Sequence, residues 1–173
     1  MALSSIVRVG TLFPPICASM IVIRIFEPGD AEAVSALIRR TMRESNSRDY
    51  PLDRLQPLID YFSPEKVRRL GQERVCLVAE ADGQLIGTAA LDGAELATFF
   101  VLPEHQGQGI GTRLLAEIER QARMQGLTHI TVDSSLTGAA FYARMGYLRT
   151  GVERDGTAGT QIGMEKQLLS GRS

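Results

Sequence analysis

From residue 21 onward the apolar positions of this chain recur at two alternating periods. The β-branched run Ile21-Val22-Ile23-Arg24-Ile25 reads as a first strand. Pro28 suits a first helical turn, with Asp30 and Glu32 near its positive end. Ala33, Val34, Leu37, Ile38 and Met42 then follow at helical spacing and predict an amphipathic helix to about residue 42. Residues 43–50 are polar and rich in turn formers, a loop, after which Leu52, Leu55, Leu58 and Ile59 restore the helical period. Ser63 followed by Pro64 is a cap and a first-turn proline for another short helix through residue 70. Three strands come next, over 74–80, 84–91 and 95–102, divided by the turn pairs Asp82-Gly83 and Asp92-Gly93. Their imperfect alternation suits a sheet covered on both faces. A loop over 103–108 leads into a long helix with Ile110, Leu114, Leu115, Ile118 and Ala122 on one face, ended by Gly126. A strand over 128–134, a short helix over 135–145 stopped by Gly146, and two strands over 147–153 and 160–167 complete the pattern. The fold class predicted is α/β (α+β): one domain, a largely antiparallel central sheet, helices against it.

The first nineteen residues do not join this pattern. Arg8 is their only basic residue and Pro14-Pro15 breaks the apolar stretch, which is unlike a secretory signal. We expect an extension over 1–19, with Met20 as an alternative initiator, a domain over 20–168 and a tail over 169–173. At 173 residues the chain has room for one such core. Its 19 basic and 20 acidic residues leave a net charge of −1, and no apolar run approaches the roughly eighteen residues a membrane span needs. Neither nucleic acid nor a membrane is therefore an expected partner. Two histidines and two cysteines are too few for a structural zinc site, and no metal is expected. Cys17 and Cys76 lie far apart and Cys76 sits in an apolar strand, an inert buried thiol in a reduced, cytoplasmic protein.

The sharpest local chemistry is Gln106-Gly107-Gln108-Gly109-Ile110-Gly111-Thr112, between a strand and a helix. Glycines permit positive φ and close approach of backbone to a ligand. The following helix presents unpaired N–H groups and a positive dipole end to the same spot, which suits a phosphate or diphosphate. Gly111 is followed by Thr112-Arg113 with no lysine, so this is not a P-loop. The spacing GxGxG, mid-chain and after hairpin-connected strands, also differs from the dinucleotide fingerprint.

Gln106, Gly109 and Gly111, after a strand ending Val101-Leu102-Pro103-Glu104, resemble the acyl-CoA signature of the GNAT N-acetyltransferases. Ala140-Phe141-Tyr142-Ala143-Arg144-Met145-Gly146-Tyr147 resembles the late aromatic segment of the same superfamily. The element order agrees from Ile21 to about Gln167. The resemblance implies a sheet splayed between the strands over 95–102 and 128–134, with the CoA arm in the gap. It implies acetyl-CoA as co-substrate, contacted by Phe99, Phe100, Val101, Gln106, Gly107, Gln108, Gly109, Gly111 and Thr112. One departure stands out: Ser135 occupies a position where many members carry an asparagine that touches the CoA arm. Its hydroxyl can cap the following helix or make a weaker contact with the cofactor, and Ser135 is counted among the expected cofactor-binding residues.

Acetyl transfer to an amine requires removal of the amine's proton, a donor for the oxyanion and a proton or hydrogen bond for the leaving thiolate. By its match to the family motif, Tyr142 takes the last role. A phenol near pKa 10 is a weaker acid than a thiol near 8.5, so a strengthening hydrogen bond describes it better than proton transfer. The oxyanion donor falls on a backbone N–H among residues 99–101. Two carboxylates compete as base, Glu95 and Asp133, whereas His105 lies at the wrong end of the site. In the superfamily the early helices and their loop cover the acceptor pocket; here that loop offers Asn46, Asp49 and Tyr50. The expected activity is transfer to a primary amine, with a small-molecule acceptor favoured and a homodimer entertained. A protein lysine or N-terminal acceptor, and a non-catalytic acyl-CoA sensor, stay open on the sequence alone.

Overall fold

The computed structural model describes residues 20–168, so the expected extension over 1–19, Cys17 within it and the 169–173 tail lie outside the described residues. In chain order the elements are β1 (Val22–Ile25), α1 (Ala31–Glu44), α2 (Leu52–Tyr61), α3 (Pro64–Glu73), β2 (Val75–Ala81), β3 (Gln84–Asp92) and β4 (Glu95–Val101). They continue with α4 (Ile110–Met124), β5 (His129–Ser134), α5 (Gly138–Arg144), β6 (Leu148–Asp155) and β7 (Thr160–Gln167). Local chemistry sets several of these ends. Asp30 accepts from the Glu27 N–H at 2.8 Å and takes both Nη atoms of Arg24, which fixes the entry to α1. The Ser63 hydroxyl accepts from the Lys66 N–H at 3.3 Å, as the cap reading expected, and Pro64 opens α3. Gly126 and Gly146 stop α4 and α5 at φ of 77° and 88°.

Two boundaries differ from the sequence pattern. The 43–50 stretch is not all loop: α1 runs on to Glu44, and a 3-10 turn covers Asn46–Arg48. The helix expected from residue 135 begins at Gly138, because the Ser135 hydroxyl accepts the Gly138 N–H at 3.1 Å and holds the preceding turn outside the helix.

The seven strands form one sheet in the order β1-β2-β3-β4-β5-β7-β6, and only β4 and β5 run parallel. α4 and α5 cover one face, where Leu114, Leu115 and Ile118 meet Leu77, Ile86, Ile130 and Met164. Each such fully buried aliphatic contributes on the order of 1.5–3 kcal/mol. α1, α2 and α3 cover the opposite face of the β1–β4 half through Val34, Leu37, Ile38, Leu55 and Ile59. β5 alternates cleanly: Ile130, Val132 and Ser134 are buried, and His129, Thr131 and Asp133 point to the other side. Among the described residues no helix is long and apolar enough to cross a membrane.

β4 carries the irregularity that shapes the site. Ala90 pairs with Thr98 and Leu91 with Leu96, so Ala97 is an extra residue, a β-bulge. Leu96 accordingly packs in the α4 core, whereas Thr98, two positions on, faces Val34, Ile38 and Phe62. β4 and β5 share one paired position, Glu95 with Thr131, beside a 2.9 Å bond from the Thr131 N–H to the Ala94 carbonyl. Beyond that point the two strands part, and the sheet is splayed where the resemblance implied a gap.

Candidate active site

Along β4, peptide groups alternate between the β3 side and the opened side. The Leu102 N–H donates to the Ile86 carbonyl at 2.9 Å, which sets the phase: Thr98, Phe100 and Leu102 face β3, and Phe99 and Val101 face the gap. Of the three residues expected to offer an oxyanion donor, Phe100 therefore has its N–H directed at β3. The Val101 carbonyl accepts from Gln106 Nε2 at 2.9 Å. The Phe99 ring lies 5.5 Å from Phe141 and 5.9 Å from Tyr142.

The glycine loop sits at the end of that opened edge. Gly107 and Gly109 have φ of 75° and 80°, and a Cβ on either would meet no atom of the described residues within 4 Å, so among them open space lies above both. Gly109 is the N-cap residue of α4, and among the described residues no side chain caps the helix. The first bond in the turn is from Arg113 N–H to the Gly109 carbonyl at 3.1 Å, which leaves the N–H groups of Ile110, Gly111 and Thr112 ahead of it. Gly111 packs beside Phe141 and Phe99, at 3.4 and 3.6 Å from where a Cβ would stand. The glutamine side chains build the frame: Gln106 Nε2 also reaches Ser45 Oγ at 3.2 Å, and Gln108 Nε2 donates to the Glu104 carbonyl at 2.9 Å. The Gln106 N–H donates to the Pro103 carbonyl at 3.3 Å, so the backbone donors of the loop begin at Gly107.

Tyr142 stands on α5 with its ring almost fully buried among Phe99, Phe141 and Tyr147. Its hydroxyl makes no hydrogen bond among the described residues, and burial pushes the phenol well above its ordinary value. Behind it Tyr147 is also raised, by burial and then by the nearby Glu119 carboxylate, and its hydroxyl is buried with no partner at hydrogen-bond distance among the described residues. Glu119 is itself buried and held by Lys166 at 2.7 Å and Arg123 at 3.4 Å. Ser135 serves as a local cap through the Gly138 bond already described.

On the same face as α1–α3, but over the β5–β7–β6 half where no helix lies among the described residues, a cavity of about 70 Å³ is lined by Glu95, Thr131, Asp133, Thr150, Val152 and Arg154. Both candidate bases thus line one space. They differ in engagement: Asp133 Oδ2 is 2.9 Å from Arg154 Nη1, whereas no ion pair or hydrogen bond to the Glu95 carboxylate occurs among the described residues. Thr131, Thr150, Val152 and Arg154 were not singled out by the sequence. The alternation His129, Thr131, Asp133 would have marked Thr131; nothing local marks the three on β6.

The residues expected around the acceptor form a bridge over the splay. Asp49 Oδ2 accepts from the Thr137 N–H at 3.2 Å and from Thr137 Oγ1 at 2.6 Å. The Tyr50 hydroxyl donates to the Thr160 carbonyl at 2.9 Å, and its ring packs on Gly159. The Asn46 carbonyl accepts the Asp49 and Tyr50 N–H groups at 3.0 Å and shapes the turn. The connection between α1 and α2 is therefore tied to the β5–α5 and β6–β7 connections, across the opening.

Comparison with known proteins agrees with this geometry. Residues 46–168 match the family model described as an acetyltransferase (GNAT) domain, well over half of the chain. An amino-acid acetyltransferase of Neisseria meningitidis is 33% identical over 132 residues, 70% of this chain and 26% of that protein. The chain spans only 19–26% of the length of the curated relatives it matches. A GCN5-related N-acetyltransferase from Rhodopseudomonas palustris superposes with a TM-score of 0.79 at 23% identity, covering 87% of this chain and 97% of the other. PaiA N-acetyltransferase from Thermoplasma acidophilum, solved in complex with coenzyme A, gives 0.74 at 24%, covering 86% and 99%. The chain belongs to the GNAT family of N-acetyltransferases.

Proposed function

We propose that this chain transfers an acetyl group from acetyl-CoA directly to a primary amine on a small molecule. The observation that carries this reading is the opened β4 edge, which ends on an uncapped helix N-terminus and lies beside a buried tyrosine hydroxyl with no partner among the described residues. These features fit the co-substrate part by part. The N–H groups of residues 107–112, with open space above Gly107 and Gly109, suit a diphosphate. The Phe99 and Val101 peptide groups facing the gap suit strand-like pairing with an amide-containing arm, and the Phe99 N–H is the oxyanion donor. The Tyr142 hydroxyl hydrogen-bonds the departing thiolate. Burial makes it a still poorer acid than a free phenol, so it stabilises charge and keeps its proton.

Glu95 takes the amine's proton. An alkyl ammonium near pKa 10.4 is almost wholly protonated at neutral pH, so a nearby carboxylate is needed. Asp133 has its Oδ2 occupied by Arg154, which favours Glu95. Cys76 lies in the α1–α3 core, with burial pushing its thiol up to about 11, so a relay through an acyl-cysteine finds no support there. The bridge formed by Asp49 and Tyr50 supports a small acceptor, because a protein substrate needs an open groove at that place. The relatives named for amino-acid acetylation point the same way.

Purified protein, acetyl-CoA and a panel of small amines and lysine-containing peptides provide the test, read as free thiol and as mass gain on the acceptor. Amine-dependent thiol release with small amines supports the reading. Acetylation confined to peptides contradicts it in favour of a protein acceptor, and tight binding of acetyl-CoA without turnover favours a sensor.

A further inference from the structure

We propose that Arg154 reads a carboxylate on the acceptor, so that the substrates are small amines bearing an acid group, with α-amino acids as the class that fits. This rests on the acetyltransferase reading above and names the acceptor within the same site.

β6 is built to bring this arginine over the cavity. Arg149 pairs with Met164 and Glu153 with Ile162, so Thr150, Gly151 and Val152 stand against Gly163 alone. Gly151 turns the bulge with φ of 78°. The bulge lies close on β7 because residue 163 is glycine: a Cβ there would come within 2.7 Å of Thr150 Oγ1 and 3.0 Å of the Val152 carbonyl. A 3.1 Å bond from Thr150 Oγ1 to the Gly163 carbonyl holds it down. The strand that emerges aims Arg154 across β7 to Asp133 on β5, two places away in the sheet. An arginine on an edge strand ordinarily extends into solvent; this one is drawn over the pocket mouth with 62% of its side chain still exposed.

The charges in the cavity then select a zwitterion. Nη1 of Arg154 holds Asp133, and its Nε and Nη2 make no hydrogen bond or ion pair among the described residues, so part of the guanidinium fork remains to bind an anion. Glu95, with no partner of its own among the described residues, is the counterpart for an ammonium. Thr131 and Thr150 add only neutral hydroxyls to the lining. Arg154 and Asp133 offset each other and Glu95 meets the ammonium of any amine, so what a carboxylate on the acceptor gains is the edge of the guanidinium that Asp133 leaves open, within a space of about 70 Å³. The Tyr50 tie reaches the same hairpin, since Thr160 immediately precedes Gln161, the β7 partner of Arg154.

The test compares kcat/KM for the common α-amino acids with their carboxamides, in the native chain and in Arg154→Gln. The native protein is expected to favour the free acids by roughly 10- to 100-fold, the worth of a charged hydrogen bond. In Arg154→Gln that ratio is expected to fall toward one through a higher KM for the acids, while acetyl-CoA affinity by calorimetry stays within about two-fold. Equal use of acids and amides by the native chain overturns the proposal, and so does an equal loss on both in the variant, which a purely structural ion pair would produce. If no acceptor is turned over although acetyl-CoA binds, the transferase reading fails instead. Calorimetric binding of the free acids to the two proteins in the presence of CoA then decides Arg154 alone: weaker binding by the variant supports it, and equal binding overturns it.

Discussion

Replacing Tyr142 by phenylalanine separates packing from chemistry at the centre of the site. The ring makes the contacts with Phe99, Phe141 and Tyr147, and phenylalanine keeps all of them. The hydroxyl has no hydrogen bond among the described residues, so removing it costs the fold nothing on that account and relieves a poorly solvated polar atom. Stability by urea or heat is therefore expected to hold or rise by up to about 1 kcal/mol, or roughly 2–4 °C for a domain of this size. The hydrogen bond to the departing thiolate, by contrast, exists only as charge builds on sulfur. Its loss is expected to lower kcat on the order of 10²-fold, or about 2.7 kcal/mol of barrier, with little change in KM for acetyl-CoA. Tyr142→Ala is the contrasting variant, since it empties a buried aromatic site and costs roughly 3–5 kcal/mol of stability. The assay is thiol release at saturating acceptor, alongside a denaturation curve for each protein. An unchanged kcat in Tyr142→Phe refutes the catalytic role; a stability loss of 1 kcal/mol or more would show instead that the hydroxyl is a structural hydrogen-bond donor.

Four further outcomes follow from the same geometry. Gly109→Val puts a branched residue at φ of 80° and into the open space over the loop, so acetyl-CoA affinity by calorimetry should fall at least tenfold, with kcat at saturation less affected. Glu95→Gln should lower kcat by about 10²-fold at neutral pH, and equal activity in the two proteins would shift the base to another group. Tyr50→Phe removes the 2.9 Å tie to Thr160 but leaves the ring on Gly159, so the KM for the acceptor should rise several-fold with acetyl-CoA binding unchanged. Burial raises Cys76 from 9.0 to about 11 and raises Tyr142 and Tyr147 above their usual value, so each favours the fold while protonated. Their contribution is full below about pH 9 and is lost as pH rises through 9 to 11 for Cys76 and higher still for the tyrosines. A urea midpoint that falls over this window is expected, and a flat profile would contradict it.

How far the sequence could be read depended on the range of the interactions. Helices and strands with a strong period, such as Ile110 to Ala122 on α4 or His129 to Ser134 on β5, fell within a residue or two of their places because burial on one face is a local pattern. The glycine loop was legible for a similar reason, since positive φ at Gly107 and Gly109 is a property of single residues. The Ala97 bulge was not, because Leu96-Ala97-Thr98 reads as ordinary strand and only the pairing with β3 exposes the extra residue. Asp49 and Tyr50 were picked out, but their partners lie 88 and 110 residues away. Arg154 went unseen because β6 is exposed along its whole length and leaves no periodic signal, and its direction depends on the fit of Thr150 against Gly163.

The central claim is that acetyl-CoA enters the gap between β4 and β5, and a crystal structure of the protein soaked with acetyl-CoA tests it most directly. The account predicts the diphosphate on the N–H groups of residues 107–112, the arm along Phe99 and Val101, and the thioester sulfur within hydrogen-bond reach of the Tyr142 hydroxyl. Density for the ligand anywhere else on the molecule, or a thioester turned away from Tyr142, would contradict it.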